Sequence, residues 1–301
     1  MNKYSSIRSS GSLLERASEK FDFAAALRGA EDEFPVSAAE PAKAAPEAPV
    51  QPAVTIADRE AVAVDRVALA ESGFVLPDQR PGPLAEEFRI VKRQLLLRAA
   101  GEGGAPIDNG RMILVCSAKP DEGKTFCSIN LALSMARETD LDIVLTDSDL
   151  NNPEIAALMG IEDGPGLMDA VADPAIDIES CLVRTDIPNL SILRSGRRTD
   201  DATELLASHR TSDVFRRLLA ASPTRIAIFD SPPALSASPA SVLAMHAGQT
   251  VMVVKADTTN EAELREALGL LNGCDHIQLL LNGVTFTPNG KRFSSYYGYG
   301  E

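Results

Sequence analysis

No stretch of the 301-residue chain is long and apolar enough to cross a bilayer, which excludes a membrane-spanning helix. Its first residues lack the apolar core of an export signal, so export is not expected. Cysteine is scarce: Cys116, Cys127, Cys181 and Cys274 show no metal-type pairing. Two of them lie on segments that should be buried, and they read as small apolar packing residues in a reducing cytoplasm. Positive charge is short as well, with 29 Lys and Arg against 43 Asp and Glu and a formal net charge of −14. That balance disfavours broad nucleic-acid binding through the phosphate backbone, although a local basic patch remains compatible with it. No internal repeat is visible, so a solenoid is not indicated.

What is present falls into regions of different texture. Within residues 1–30 a short amphipathic helix is expected over 12–28. Ser12 and Glu15 stand at capping-box spacing, while Leu14, Ala17, Phe21 and Ala24 share one face. It reads either as a frayed surface segment or as a docking element. Residues 31–82 are rich in Ala, Pro and Glu and bury too little apolar surface to offset the entropy of ordering, so a flexible linker is expected. Residues 83–287 read as the folded domain, and 288–301 as a flexible tail rich in Gly, Ser and Tyr.

Within the domain, Pro83 at a helix start and the stripe Phe88, Val91, Leu95, Leu96 predict a helix over 83–99. Apolar runs then alternate with amphipathic segments. Strands are expected at 112–116, 142–146, 190–194, 225–229, 249–255 and 276–282. Helices are expected at 125–137, 153–159, 166–172, 202–220, 236–246 and 260–272. This alternation predicts an α/β fold, a mostly parallel doubly wound sheet covered on both faces.

The most informative stretch is Cys116-Ser-Ala-Lys-Pro-Asp-Glu-Gly-Lys-Thr125, between a strand and a helix. A tight loop ending Gly123-Lys124-Thr125 before a helix aims backbone N–H groups at an anion and cradles nucleotide phosphates. Lys124 is placed to reach the β- and γ-phosphates, and the Thr125 hydroxyl to complete a Mg²⁺ shell. The first glycine of the usual pattern is Ala118. Two later strands end in acids: 142–146 runs into Asp147-Ser-Asp149, and 225–229 into Asp230-Ser-Pro-Pro. Ligands of open α/β sheets bind at the carboxyl ends of strands, and Mg²⁺ beside substrate phosphates takes a few carboxylates plus water. The competing reading is that Asp147 and Asp230 merely cap the next element.

These residues resemble the Walker A, A′ and B motifs of the bacterial tyrosine kinases of exopolysaccharide and capsule export. Lys119 falls where the MinD/ParA class of ATPases carries its signature lysine. Glu86-Glu-Phe-Arg89-Ile-Val-Lys92, Gly166-Leu-Met-Asp169, Glu204-Leu-Leu206 and Asn282-Gly-Val284 add to the likeness, which covers roughly 83–301. The opening Ser-Leu-Leu-Glu-Arg-Ala-Ser-Glu-Lys is similar to autokinases of exosortase-associated polysaccharide loci. Departures are Ala118 and Asp121, where Gly is usual, and Asn151, where Arg is common.

The resemblance implies a P-loop fold and ATP-dependent tyrosine autophosphorylation in trans, with ATP and Mg²⁺ as cofactors. The implied nucleotide site comprises Lys119, Asp121, Glu122, Gly123, Lys124, Thr125, Phe126 and Asn282, the last beside adenine. Thr125, Asp147 and Asp230 are the implied metal ligands, and Asp149 the group that takes or orients the phenol proton. Lys124, Asp147, Asp149 and Asp230 together form the implied catalytic set. Phosphoacceptors are Tyr296, Tyr297 and Tyr299 in the tail, where each phosphate adds roughly −1.5 to −2 charges and opposes rebinding. Glu86, Arg89 and Lys92 match the family's oligomerisation pattern, with Lys in place of the final Arg; on charge spacing alone they read as a solvated helix face. The implied partners are a homo-oligomer, a membrane chain-length-determinant (polysaccharide co-polymerase) activator and a protein-tyrosine phosphatase, but no nucleic acid. The implied location is cytoplasmic, peripheral to the inner membrane through the partner. The alternatives are a MinD/ParA-like ATPase switch and a non-catalytic partner of the export machine.

Overall fold

The central strand β1, Met112–Ser117, is buried along its whole length, and its alternating side chains explain the architecture. Met112, Leu114 and Cys116 enter one apolar layer while Ile113 and Val115 enter another on the opposite face. A strand with both faces covered requires helices above and below, which parallel β-α-β connections supply. The computed structural model describes residues 59–101 and 107–284. The expected helix at 12–28, most of the linker and the tail tyrosines lie outside those residues.

Among the described residues seven strands form one sheet. With β2 at Asp142–Asp147, β3 at Leu182–Arg184, β4 at Leu190–Leu193, β5 at Arg225–Asp230, β6 at Gln249–Lys255 and β7 at Ile277–Asn282, the order is β3-β4-β2-β5-β1-β6-β7. All neighbours are parallel except β3 and β4. Among the described residues the α-helices are α1 Arg66–Glu71, α2 Pro83–Ala99, α3 Lys124–Met135, α4 Ile155–Leu158, α5 Leu167–Ala172, α6 Ala202–Leu206, α7 His209–Ala220, α8 Pro239–Ala244 and α9 Glu261–Leu270. The expected α/β class and mostly parallel doubly wound sheet are thus observed. Among the described residues no helix is long and apolar enough to cross a membrane. All four cysteines are free and buried, and burial pushes the Cys116 and Cys127 thiols up to about 11 and about 12.

Three features differ from the sequence-based expectation. The short antiparallel edge strand β3 was not expected, because three residues are too few to show periodicity. The helix expected over 202–220 is two helices, since the Ser208 hydroxyl accepts from Thr211 N and starts α7 afresh. Most consequential, residues 59–82 belong to the fold and not to a flexible linker. Val64, Leu69, Phe74 and Leu76 are buried in the layer that holds α2 and α3. Val62 bridges Thr185, Val64 N donates to Asp186, and the Arg66 guanidinium pairs with Asp186. Composition over a fifty-residue window hid a short apolar set that closes one face of the sheet.

Leu69 is fully buried. Leu69→Ala is expected to lower unfolding free energy by roughly 2–5 kcal/mol through lost apolar transfer and a residual cavity. Urea denaturation of the full chain measures this; an unchanged midpoint would mean that 59–82 does not belong to the cooperative unit.

Candidate active site

The loop after β1 turns sharply into α3, and two left-handed residues make the turn. Gly123 has φ 90°, and a Cβ there would lie 2.2 Å from Asn282 Nδ2, so only glycine fits. Asp121 has φ 62°, a conformation that Asp tolerates better than most residues. This explains how Asp stands where Gly is usual: it meets the backbone requirement, and the residue is exposed. Ala118 is fully buried in the core.

Neighbouring elements clamp the loop. Glu122, 1% exposed, accepts from Lys119 N at 2.9 Å and from the Thr259 hydroxyl. Its carbonyl accepts from Asn282 Nδ2 at 2.9 Å, and the Asp121 carbonyl accepts from Lys255 Nζ at 3.0 Å. Glu122 and Asn282 therefore shape the loop here. The Lys119 ammonium pairs with Glu263 of α9 at 2.8 Å. Phe126 packs against Phe74 and Phe88. It forms one wall of a 260 Å³ groove that Cys127, Val251, Gln278, Leu280 and Asn282 also line. The Gln278 Nε2 is buried without a partner, so this groove beside the loop retains a free donor.

The carboxylates converge on the loop because β2 and β5 pair in register, Asp147 opposite Asp230. Asp230 accepts from the Thr125 hydroxyl at 2.7 Å and the Ser128 hydroxyl at 2.9 Å. Its carbonyl accepts from Ser148 N and Oγ at 2.9 and 2.6 Å. Lys124 Nζ pairs with Asp149 at 2.7 Å, with the two side chains only 12% and 6% exposed. Burial disfavours the Lys124 ammonium, but Asp230 and Asp149 outweigh it and hold its pKa above the ordinary value. Asp147 accepts from Ile155 N at 3.0 Å, so it does cap α4, while its Oδ1 is buried without a partner. Burial pushes Asp147 up to about 7 and Asp230 up to about 6, with the neighbouring carboxylates adding to it.

Lys124, Thr125, Asp147, Asp149 and Asp230 thus meet at one end of the sheet, as their motifs suggested. Spacing could also have revealed Ser128, one turn beyond Lys124 and donating to Asp230, the carboxylate that Thr125 also holds. Thr259 and Glu263 carry no motif and emerge only from the fold. Among the described residues no group of three or more His, Cys, Asp or Glu could cage a metal. A Mg²⁺ ion carried on substrate phosphates needs only one or two carboxylates, and the orphaned Asp147 Oδ1 beside Thr125 and Asp230 fits that hard oxygen-donor role.

On α2, Glu86 and Arg89 pair with one another at 2.9 Å. Lys92 departs from the expectation that it faces a neighbour. It is 7% exposed, pairs with Glu138 and donates to Ser134 O at 2.9 Å, because its stem lies on the α2–α3 side of the helix.

No family model matches the chain. CapB of Staphylococcus aureus, assigned by name to the tyrosine-protein kinases, is 26% identical over 232 residues, 76% of this chain and 96% of CapB. The tyrosine-protein kinase Wzc of Salmonella typhimurium is 29% identical over 192 residues, 62% of this chain but only 26% of Wzc. The chain therefore spans nearly all of one relative and about a quarter of the other. Among solved structures, the VpsO kinase domain superposes with TM-score 0.56 at 27% identity, covering 66% of this chain and 95% of that one. The resemblance to bacterial tyrosine kinases read from the motifs is borne out.

The raised carboxyl pKa values have a signed consequence. From about pH 4 to about pH 7 the folded protein keeps protons on Asp147 and Asp230 that the unfolded chain releases, so this contribution to stability is lost as pH rises. Asp147→Asn keeps an acceptor for Ile155 N and removes the ionisation cost. It is expected to stabilise the protein at pH 8 by roughly 1–3 kcal/mol and to flatten that decline. Denaturant titrations across pH check it; a variant less stable at every pH would contradict the assignment.

Proposed function

We propose that this chain, a relative of the bacterial tyrosine-protein kinases, is an ATP-dependent protein-tyrosine kinase whose acceptors are its own Tyr296, Tyr297 and Tyr299. The observation that carries the reading is the meeting of the phosphate loop with the in-register Asp147 and Asp230 at one end of the sheet. The loop N–H groups and the α3 N-terminus hold the β- and γ-phosphates, with Lys124 turning from Asp149 to phosphate oxygen. The groove at Phe126 and Asn282 takes adenine. Thr125, Asp147 and Asp230 would hold Mg²⁺, which supplies neutralisation of phosphate charge when bound.

Asp149, freed by Lys124, orients the incoming phenol and receives its proton. The tyrosine oxygen bonds to the γ-phosphorus as the bond to the β–γ bridging oxygen breaks, and ADP leaves. An aspartate is a weak base, so positioning and charge stabilisation dominate the rate gain.

Delivery of the tail in trans within a homo-oligomer is part of the proposal. Arg89 and Glu86, both on the outer side of α2, are the interface residues retained in it, and Lys92 positions the helix. A membrane chain-length-determinant activator recruits the kinase to the inner face of the membrane, a phosphatase resets it, and exopolysaccharide polymerisation or export is the process controlled. The export setting is supported by the likeness to the capsule-locus motifs.

Incubation with Mg-ATP followed by anti-phosphotyrosine detection is expected to show phosphate on the wild-type tail. Lys124→Met should lower it at least a hundredfold. That change also leaves the buried Asp149 unpaired, so circular dichroism must show the variant folded. Undiminished phosphotyrosine in Lys124→Met, or label that survives replacement of all three tail tyrosines by Phe, would refute the site or the acceptors respectively. Arg89→Ala is expected to lower oligomer mass by light scattering and trans-phosphorylation together; an unchanged mass would remove α2 from the interface.

A further inference from the structure

A second cavity, of 410 Å³, shares Asp147 with the phosphate site and lies beyond the carboxyl ends of β2 and β4. Its far wall is a clasp between two loops. Leu167 N donates to Arg194 O and Met168 N to Ser195 O, at 2.8 and 2.9 Å. The Asp169 carboxylate accepts from Gly166 N at 2.9 Å and from Arg197 N at 3.1 Å. A Cβ on Gly166 would lie 2.2 Å from Arg194 O, so the close approach depends on glycine. The Arg194 guanidinium donates to the Pro165 and Glu162 carbonyls and ties the wall further.

On this braced wall Arg197 and Arg198 line the cavity, both exposed. Neither guanidinium has a partner among the described residues. Of the acids at the cavity, Asp147 and Asp169 already accept from backbone N–H groups, and Asp163 is exposed. Two adjacent unpaired arginines in a cavity that Asp147 also lines stand out in a chain carrying −14 charges. Guanidinium pairs of this kind bind phosphate bidentately.

The tail supplies a matching ligand. Tyr297 and Tyr299 are two residues apart, so in extended chain their backbones are separated by at most about 7 Å. One can sit at the transfer site while its neighbour lies in the adjoining cavity. Facing only Asp147, Asp149 and Asp230, a phosphorylated tail would be repelled; Arg197 and Arg198 supply the counter-charge next to them.

Resting on the kinase reading above, we propose that Arg197 and Arg198 form a phosphotyrosine-binding subsite that docks an already modified tail tyrosine and presents the next one for transfer. The occupant is the 291–301 segment of this chain, and the two arginines determine specificity for successive tyrosines.

The test is fluorescence anisotropy with the full chain carrying Phe at 296, 297 and 299. The probes are labelled peptides of residues 291–301, with and without phosphotyrosine at 297. The phosphopeptide is expected to bind at least tenfold tighter than its plain counterpart. Arg197→Ser with Arg198→Ser should equalise the two, Lys at both positions should retain part of the preference, and saturating Mg-ADP, which fills the nucleotide loop, should leave it intact. Equal binding by the parent chain, or a preference that survives the double Ser change, would overturn the proposal. So would a preference abolished by saturating Mg-ADP, which would put the phosphate on the nucleotide loop. No catalysis enters this measurement, so it fails separately from the kinase reading, which fails if Mg-ATP yields no phosphotyrosine.

Discussion

The Lys124–Asp149 pair, 2.7 Å apart and nearly sealed from water, is the interaction on which the site depends. Deleting one partner of such a buried pair costs about 3–5 kcal/mol because the other charge is stranded. A phosphate arriving at the loop offers Lys124 a second anion, so the ammonium exchanges partners without being left alone. The exchange frees Asp149 as the substrate arrives. Nucleotide binding and the arming of the acceptor-side carboxylate are then one event.

The fold makes this exchange possible by bringing three strand ends to one place. The register of β2 on β5 puts Asp147 opposite Asp230, and Asp149 follows two residues later in the same chain direction. The buried core beneath them raises both pKa values, so a cation arriving beside them favours their ionised forms. Thr125 and Ser128, one helical turn apart on α3, hold Asp230 from below. Glu122, Thr259 and Asn282 fix the loop from the side, so its N–H groups are held in place in advance of binding.

Much of this was legible in the sequence, for stated physical reasons. Buried strands leave unbroken apolar runs such as 112–116 and 226–229, and a Gly-Lys-Thr loop with two acid-terminated strands leaves a spacing that few other arrangements produce. What stayed hidden depended on tertiary placement. Val64, Leu69, Phe74 and Leu76 sit in Ala- and Pro-rich surroundings that mask a docking segment. Asp121 departs from the glycine usual at its position, and only its left-handed backbone and exposed position show why Asp is accepted there. Lys92 matched a surface pattern, yet its long stem let the charge turn inward to Glu138. Thr259 and Glu263 act on the loop from more than a hundred residues away, and no local pattern records that.

The exchange of partners at Lys124 can be tested without measuring catalysis. Calorimetric titration of Mg-ADP into the full chain and into Asp149→Asn reads the competition directly. If Asp149 holds Lys124 away from phosphate, removing its charge should tighten Mg-ADP binding several-fold even though tyrosine phosphorylation is lost. Weakened Mg-ADP binding in Asp149→Asn would contradict the account and make Asp149 a ligand of the nucleotide–metal complex.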